Sequence, residues 1–207
     1  MKISVYQLKP AFQRCLQPLL QWLMRTGIRP NHLTLGTLVL CITYGAALVL
    51  WPAQSALWMA YPLLMLVRMM LNALDGMLAN AAQLRTRLGA LLNELCDVLA
   101  DLALYLPLLW LLPDHSALLL ALIVLGLLTE FTGVLAISVQ AARAFDGPMG
   151  KSDRAVLFSL LVLCQLSGGS ATVLLGLQIA GILLAILTIA NRFRSALRVP
   201  QTPPDSH

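Results

Sequence analysis

Eight polar or ionisable residues interrupt the long apolar runs of this 207-residue chain: Arg68, Asn72, Asp75, Asn93, Glu94, Asp97, Asp101 and Glu130. Such groups are expensive in hydrocarbon, so each is a candidate for function. Arg68 and Asn72 are four apart and Asn72 and Asp75 three apart, which places them on one helix face. Gly89, Asn93, Asp97 and Asp101 recur at every fourth position and form a second stripe. Carboxylates brought close repel one another. A hard divalent cation relieves that repulsion, and an oxygen-only donor set suits Mg²⁺, Mn²⁺ or Ca²⁺. Small residues beside these acids (Gly76, Ala79, Gly89) let a flat or anionic ligand approach the backbone. Taken singly, the same residues read as helix–helix packing, which small side chains favour in membranes.

Depth separates a second group. Counted from the preceding loops, Arg68 and Glu130 lie about 20 Å from the outer end of their spans at 1.5 Å per residue, and Asp101 lies at similar depth. A buried Arg68–Glu130–Asp101 cluster of structural intramembrane charges is one reading, and a role in the site itself is the other. Lys151, Ser152 and Arg154 form either a phosphate clamp or a basic loop explained by topology alone. Arg85 and Arg87 take the topology reading.

The elements that must position these groups follow from composition. The chain is 59% hydrophobic and 11% charged, with mean hydropathy +0.81, against about 45–50% and 25% in soluble domains. That excludes an ordinary cytosolic domain, a disordered chain and a disulfide-built mini-protein. The expectation is an all-α integral membrane protein with six transmembrane helices preceded by an N-terminal interfacial amphipathic helix. The spans are read at about 32–51, 55–79, 88–112, 116–142, 154–167 and 171–191. Within an interfacial segment over 1–28, Leu8, Phe12, Cys15, Leu19 and Leu23 oppose Arg14, Gln17, Gln21 and Arg25, with kinks expected at Pro10 and Pro18. A signal peptide fits this segment poorly. One domain covers 1–199, and 200–207 reads as a disordered tail.

Basic residues set the orientation. Lys2, Lys9, Arg14, Arg25 and Arg29 precede the first span, and Arg192, Arg194 and Arg198 follow the last. Arg85 and Arg87, then Arg143, Lys151 and Arg154, fall in alternate loops, while the other loops carry no Lys or Arg. Both termini and both basic loops are thus expected on the cytoplasmic side. The four cysteines (Cys15, Cys41, Cys96, Cys164) are single and read as small buried hydrophobes. The three histidines are too far apart for a metal site. A small transporter or channel would place its polar residues at the midplane and show half-to-half symmetry; the stripes lie towards one side and no repeat is present.

Asn72-x₂-Asp75-Gly76-x₂-Ala79-Asn80-x₈-Gly89-x₃-Asn93-x₃-Asp97 resembles the CDP-alcohol phosphatidyltransferase signature, D-x₂-D-G-x₂-A-R-x₈-G-x₃-D-x₃-D. The spacing is kept throughout, and five of eight signature positions match. Arg29-Pro-Asn-His-Leu-Thr34 is similar to the start of that family's first helix, and Gly150–Arg154 to its basic cytoplasmic segment. The resemblance implies transfer of a phosphatidyl or other phospho-alcohol group from a CDP-alcohol, usually CDP-diacylglycerol, to an acceptor alcohol, with release of CMP in phospholipid biosynthesis. It implies one or two divalent ions (Mg²⁺ or Mn²⁺) at Asp75, Asp97, Asn72 and Asn93, with Asp97 as the catalytic general base. It implies nucleotide contacts at Gly76, Ala79, Asn80 and Gly89, and phosphate or acceptor contacts at Lys151, Ser152 and Arg154. Partners are the CDP-alcohol, the acceptor, membrane lipid and a second copy in a homodimer, with no nucleic acid. The location implied is a bacterial inner membrane, with the site at the cytoplasmic mouth. Three positions depart from the signature: Asn72, Asn93 and Asn80 stand for Asp, Asp and Arg. An asparagine offers a metal a carbonyl oxygen without charge. Two outcomes follow. One is an active transferase with a weaker or single-metal site, helped by Glu94 or shifted to Asp97/Asp101. The other is a catalytically impaired relative that binds without transfer.

Overall fold

The structure, a computed structural model, describes residues 9–198, all of whose regular elements are helical. These are α1 (Lys9–Cys15), α2 (Gln17–Thr26), α3 (Pro30–Leu50), α4 (Ser55–Ala81), α5 (Arg87–Tyr105), α6 (Leu108–Leu111), α7 (Ser116–Leu135), α8 (Lys151–Leu166) and α9 (Ala171–Leu197), with 3₁₀ turns at Pro113–His115 and Ala136–Val139. The first residues of the expected interfacial helix and the tail 200–207 lie outside the described residues. Four helical stretches are long and apolar enough to cross a membrane: Pro30–Leu50, Ser55–Ala81, Pro113–Val139 and Ala171–Leu197. α5 carries Arg87, Glu94, Asp97 and Asp101, and α8 has 16 residues; neither reaches the same measure.

Local chemistry sets the helix ends. Gly27 closes α2 at φ +70°, a conformation open to glycine. Pro30 then opens α3 in its first turn, where a missing N–H costs nothing. The Thr86 hydroxyl caps α5 by accepting from Gly89 N–H at 2.9 Å, and Ser170 caps α9. Asp153 Oδ2 accepts from Gly150 N–H at 3.0 Å and fixes the start of α8.

Several boundaries differ from the sequence expectation. The third span, expected as one helix to 112, breaks at Leu106–Pro107, because proline lacks the ladder donor. The fourth, expected to 142, leaves α-helix after Leu135 and turns at Gln140, whose φ is +60°. α9 runs on to Leu197, so Arg192 stands inside a helix and not beyond it. The N-terminal segment divides at Leu16 between α1 and α2.

α3 packs between α4 and α5, α4 against α8, and α9 against α7 and α8. α3 and α5 touch at backbone level: a Cβ on Gly45 would collide with the Ala103 carbonyl oxygen. The main core joins Trp58, Tyr61, Met65, Leu104, Tyr105, Leu122, Phe158 and Leu161. A smaller cluster seats Leu16, Leu20 and Leu23 of the N-terminal segment on Leu74 and Leu78 of α4. Outward faces are apolar, with Val39, Met59, Leu63, Leu183 and Ile186 all exposed. Apolar surface on this scale marks contact with lipid or protein. Arg68, Asp101 and Arg154 are buried instead, so the polarity of a water-soluble fold is inverted.

Candidate active site

Asp97 of α5 lines a cavity of about 670 Å³, and Asp75 of α4 lies near enough to interact with it electrostatically. Asp75 is buried, and its Oδ2 accepts from the Thr34 hydroxyl at 3.1 Å. Thr34 lies one turn into α3, so the Arg29–Thr34 segment contributes directly to the site. Asp97 Oδ1 accepts from Asn72 Nδ2 at 2.8 Å, and its Oδ2 is ion-paired with Lys151 Nζ from the first residue of α8. A carboxylate only accepts, so the Asn72 amide must present its NH₂ and not its oxygen to Asp97. Arg68 Nη2 donates to the Asp97 backbone carbonyl at 3.2 Å, tying α4 to α5 below the side chain.

One turn deeper, Asp101 sits between two arginines. Arg68 Nη2 lies 2.5 Å from its Oδ1 and Arg154 Nη2 3.0 Å from its Oδ2. Arg154 also reaches Glu130 Oε1 at 2.9 Å and the Thr129 hydroxyl at 2.7 Å. Arg68 and Asp101 thus pair directly, while Glu130 joins them through Arg154. Expected beside Lys151 in a phosphate clamp, Arg154 is instead 0% exposed and does not line the cavity. α7 makes room for it at Gly126, where an added Cβ would stand 3.0 Å from Arg154 Cδ.

Two further arginines complete the cavity wall. Arg143 pairs with Glu94 of α5 and, at 3.0 Å, with Glu130 of α7, and its guanidinium lies 5.1 Å over the Phe145 ring. Burial, with the Arg192 charge nearby, pulls the Arg143 pKa below its ordinary value. Arg192 comes from α9, donates to the Thr129 and Asp146 carbonyls and lines the same cavity. It passes close to Gly133, where an added Cβ would lie 2.8 Å from the Ala144 carbonyl oxygen and 3.0 Å from Arg192 Nη1. Neither arginine is singled out by sequence, where both count only as topology-setting charges. Glu94, a potential helper to a metal, is occupied by Arg143.

The remaining candidates lie around this core. Gly76 is exposed with nothing within 4 Å of an added Cβ, leaving open space beside Asp75. Asn80, in the signature's arginine position, accepts from Arg85 Nε. Gly89 faces Asn31, whose Oδ1 would be 2.9 Å from an added Cβ. Asn93 and Ser152 line the cavity; Ala79 is half-buried on α4. Among the described residues no three His, Cys, Asp or Glu side chains gather into a metal-holding group. The donor set present is two carboxylates and two neutral amides. Oxygen donors of this kind suit a hard divalent cation, and a cation arriving at Asp97 would meet an ammonium already there.

Comparison with known proteins agrees with this architecture. The family model described as CDP-alcohol phosphatidyltransferase matches residues 28–190. The chain is 45% identical over 158 residues to the inner membrane protein YnbA of Escherichia coli K12, covering 76% of this chain and 78% of that one. It is 33% identical over 103 residues to a phosphatidylinositol phosphate synthase of Mycobacteroides abscessus, 49% of this chain and 44% of the relative. Among solved structures, the Mycobacterium tuberculosis phosphatidylinositol phosphate synthase PgsA1 with CDP-DAG bound superposes with TM-score 0.74 at 18% identity, covering 94% of this chain and 99% of that one. The same enzyme with manganese and citrate gives TM-score 0.72 at 19% identity, covering 92% of each chain.

Proposed function

The chain belongs to the CDP-alcohol phosphatidyltransferase family, and from that membership we propose that it moves a phosphatidyl group from CDP-diacylglycerol, or a phospho-alcohol group from another CDP-alcohol, to an acceptor alcohol with release of CMP. The observation that carries the reading is a cavity lined by both charged and apolar side chains, with Asp97 in its wall and Asp75 near enough to interact with Asp97 electrostatically. Asn72, Asp97, Lys151 and Arg192 form one part of the lining, and Met65, Leu66, Met69, Val156 and Leu160 another. A diphosphate headgroup and acyl chains match those two surfaces, and a solved neighbour of the same fold binds CDP-DAG.

The chemistry is a displacement at phosphorus. The acceptor hydroxyl oxygen forms a bond to the phosphorus nearer the lipid, the bridging P–O bond breaks, and CMP leaves with the electron pair. Asp97 takes the hydroxyl proton, a role that needs hydrogen-bond reach and a charged carboxylate; Lys151 orients that carboxylate from the start of α8. A divalent cation held by Asp75 and Asp97, with Asn72 and Asn93 as neutral partners, supplies charge neutralisation to the diphosphate when bound. Gly76, Ala79, Asn80 and Gly89 border the nucleotide. Lys151 and Ser152, with Arg143 and Arg192, border the phosphates and acceptor. Arg154 joins Arg68, Asp101 and Glu130 in holding the helices together.

The same reading extends to topology. Buried charges on α5 and α8 turn inward among four apolar helices, which supports six crossing helices with α5 and α8 as the polar pair. α2, with Trp22 and Met24 exposed and Leu20 and Leu23 buried, supports an interfacial segment. The site and both termini then face the cytoplasm of a bacterial inner membrane, the location carried in the name of the Escherichia coli relative. A second reading, binding without transfer, is favoured by one observation: both Asp97 oxygens are already engaged. The deciding assay supplies purified protein with Mn²⁺ or Mg²⁺, CDP-diacylglycerol and a panel of alcohols and measures CMP. Release that disappears in Asp97→Asn is expected. No release across the panel, with CDP-lipid binding intact, would establish the second reading.

A further inference from the structure

The acids that α4, α5 and α7 bring to the site are ion-paired at every position but one. Arg68, Arg143, Lys151 and Arg154 pair with Glu94, Asp97, Asp101 and Glu130, four cations with four acids. Asp75 is left with no ion-pair partner among the described residues, and the Thr34 hydroxyl is the side chain that satisfies it. The two positions that would add negative charge to its surroundings hold Asn72 and Asn93. Meanwhile the Lys151 ammonium lies on Asp97, and its backbone is held there by the Gly150–Asp153 cap at the start of α8.

We propose that Lys151 is a built-in substitute for one cation, so that this chain binds a single divalent ion centred on Asp75 while the ammonium serves Asp97. The proposal rests on the transferase-family reading of the site and specifies its cation content. A fixed ammonium provides one positive charge without exchange with solvent. It also repels a dication arriving at the same carboxylate, and the two asparagines give that dication nothing ionic in return. The three features therefore belong together. With aspartate at both positions, the Asp97 side would carry enough negative charge to attract a second ion despite the lysine. With asparagine there, a single ion at Asp75 gives each of these five acids a cation.

The test is the stoichiometry of Mn²⁺ binding to the purified full-length protein, read by titration calorimetry and by loss of the free-Mn²⁺ spin-resonance signal, with no nucleotide or lipid added. One Mn²⁺ per chain is expected. Asp75→Asn should weaken that binding at least ~10-fold and more than Asp97→Asn does, as loss of a charged ligand implies. The triple variant N72D/N93D/K151M should take up two. Two ions in the unaltered protein would overturn the proposal, and so would none, or a larger loss in Asp97→Asn than in Asp75→Asn. Should the triple variant fail to fold, the unaltered stoichiometry and the paired single variants still decide. CMP release reports separately: two ions with release breaks this inference alone, and one ion without release breaks the transfer reading alone.

Discussion

Asp97 and Asp101 are one helical turn apart on α5, yet they stand in two different kinds of chemistry. Asp101 is 1% exposed and clamped between Arg68 and Arg154, both 0% exposed. Asp97 opens onto the cavity and is held by one amide and one ammonium. The first is a closed network in which planar guanidiniums bridge four helices. The second is an open one, whose members border the cavity. About 6 Å of helix rise thus separates a group whose charge maintains the bundle from one whose charge can be used. Arginine dominates the closed side because its several donors serve several acceptors at once: Arg154 Nη2 reaches both Asp101 and Glu130, and its Nη1 the Thr129 hydroxyl. Lysine stands on the open side, where one compact ammonium serves one carboxylate.

That contrast breaks if the two aspartates behave alike on substitution. Asp97→Asn should lower CMP release by about 10³-fold, as expected for loss of a general base, with thermal stability in detergent unchanged. Asp101→Asn should do the reverse in kind: it leaves two buried guanidiniums under-paired and costs about 3–5 kcal/mol of stability, read as a lower unfolding midpoint and poor yield. Equal midpoints for the two variants would abolish the distinction. A smaller effect sharpens it. Gly126→Ala pushes a methyl into the Arg154 side chain and should cost about 1–3 kcal/mol by overpacking, visible in stability and not in substrate affinity. Smaller still, Arg192→Gln should raise the acceptor KM about 10-fold, roughly one charge-assisted hydrogen bond, when the acceptor is anionic. The KM for the CDP-alcohol should stay within about two-fold of its original value.

Periodicity alone makes the α4 and α5 stripes legible in the sequence, because four-residue spacing fixes a face whatever packs against it. Helical rise counted from the loops places Arg68 and Asp101 at similar depth. What periodicity misses is contact made possible by an absence elsewhere. Arg154 turns inward because Gly126, 28 positions earlier, has no side chain, and Arg192 passes close to Gly133. Composition reveals only two small residues in an apolar run. Hydropathy likewise ends spans where polarity begins, so it stops the last span at 191 and leaves Arg192 as a loop charge, although α9 continues to Leu197. It also carries the third span through Pro107, whose effect is on the backbone ladder and not on transfer into lipid. Thr34 lies within a segment notable for its resemblance, but its bond to Asp75 depends on how α3 and α4 lie together.

The closed network also bears on how the chain enters a bilayer. Each charged side chain at a helix centre opposes insertion by about 2.5–3.5 kcal/mol on translocon scales. Arg68 on α4 is followed by its counter-charge Asp101 on α5, and Glu130 on α7 is followed by Arg154 on α8. In chain order these helices thus form two pairs, each carrying its own opposite charges in contact. The Arg154–Asp101 bridge then joins one pair to the other. In this arrangement each charge meets its counter-charge on the next long helix of the chain, so insertion as helix pairs is expected to cost less than insertion of the same helices singly.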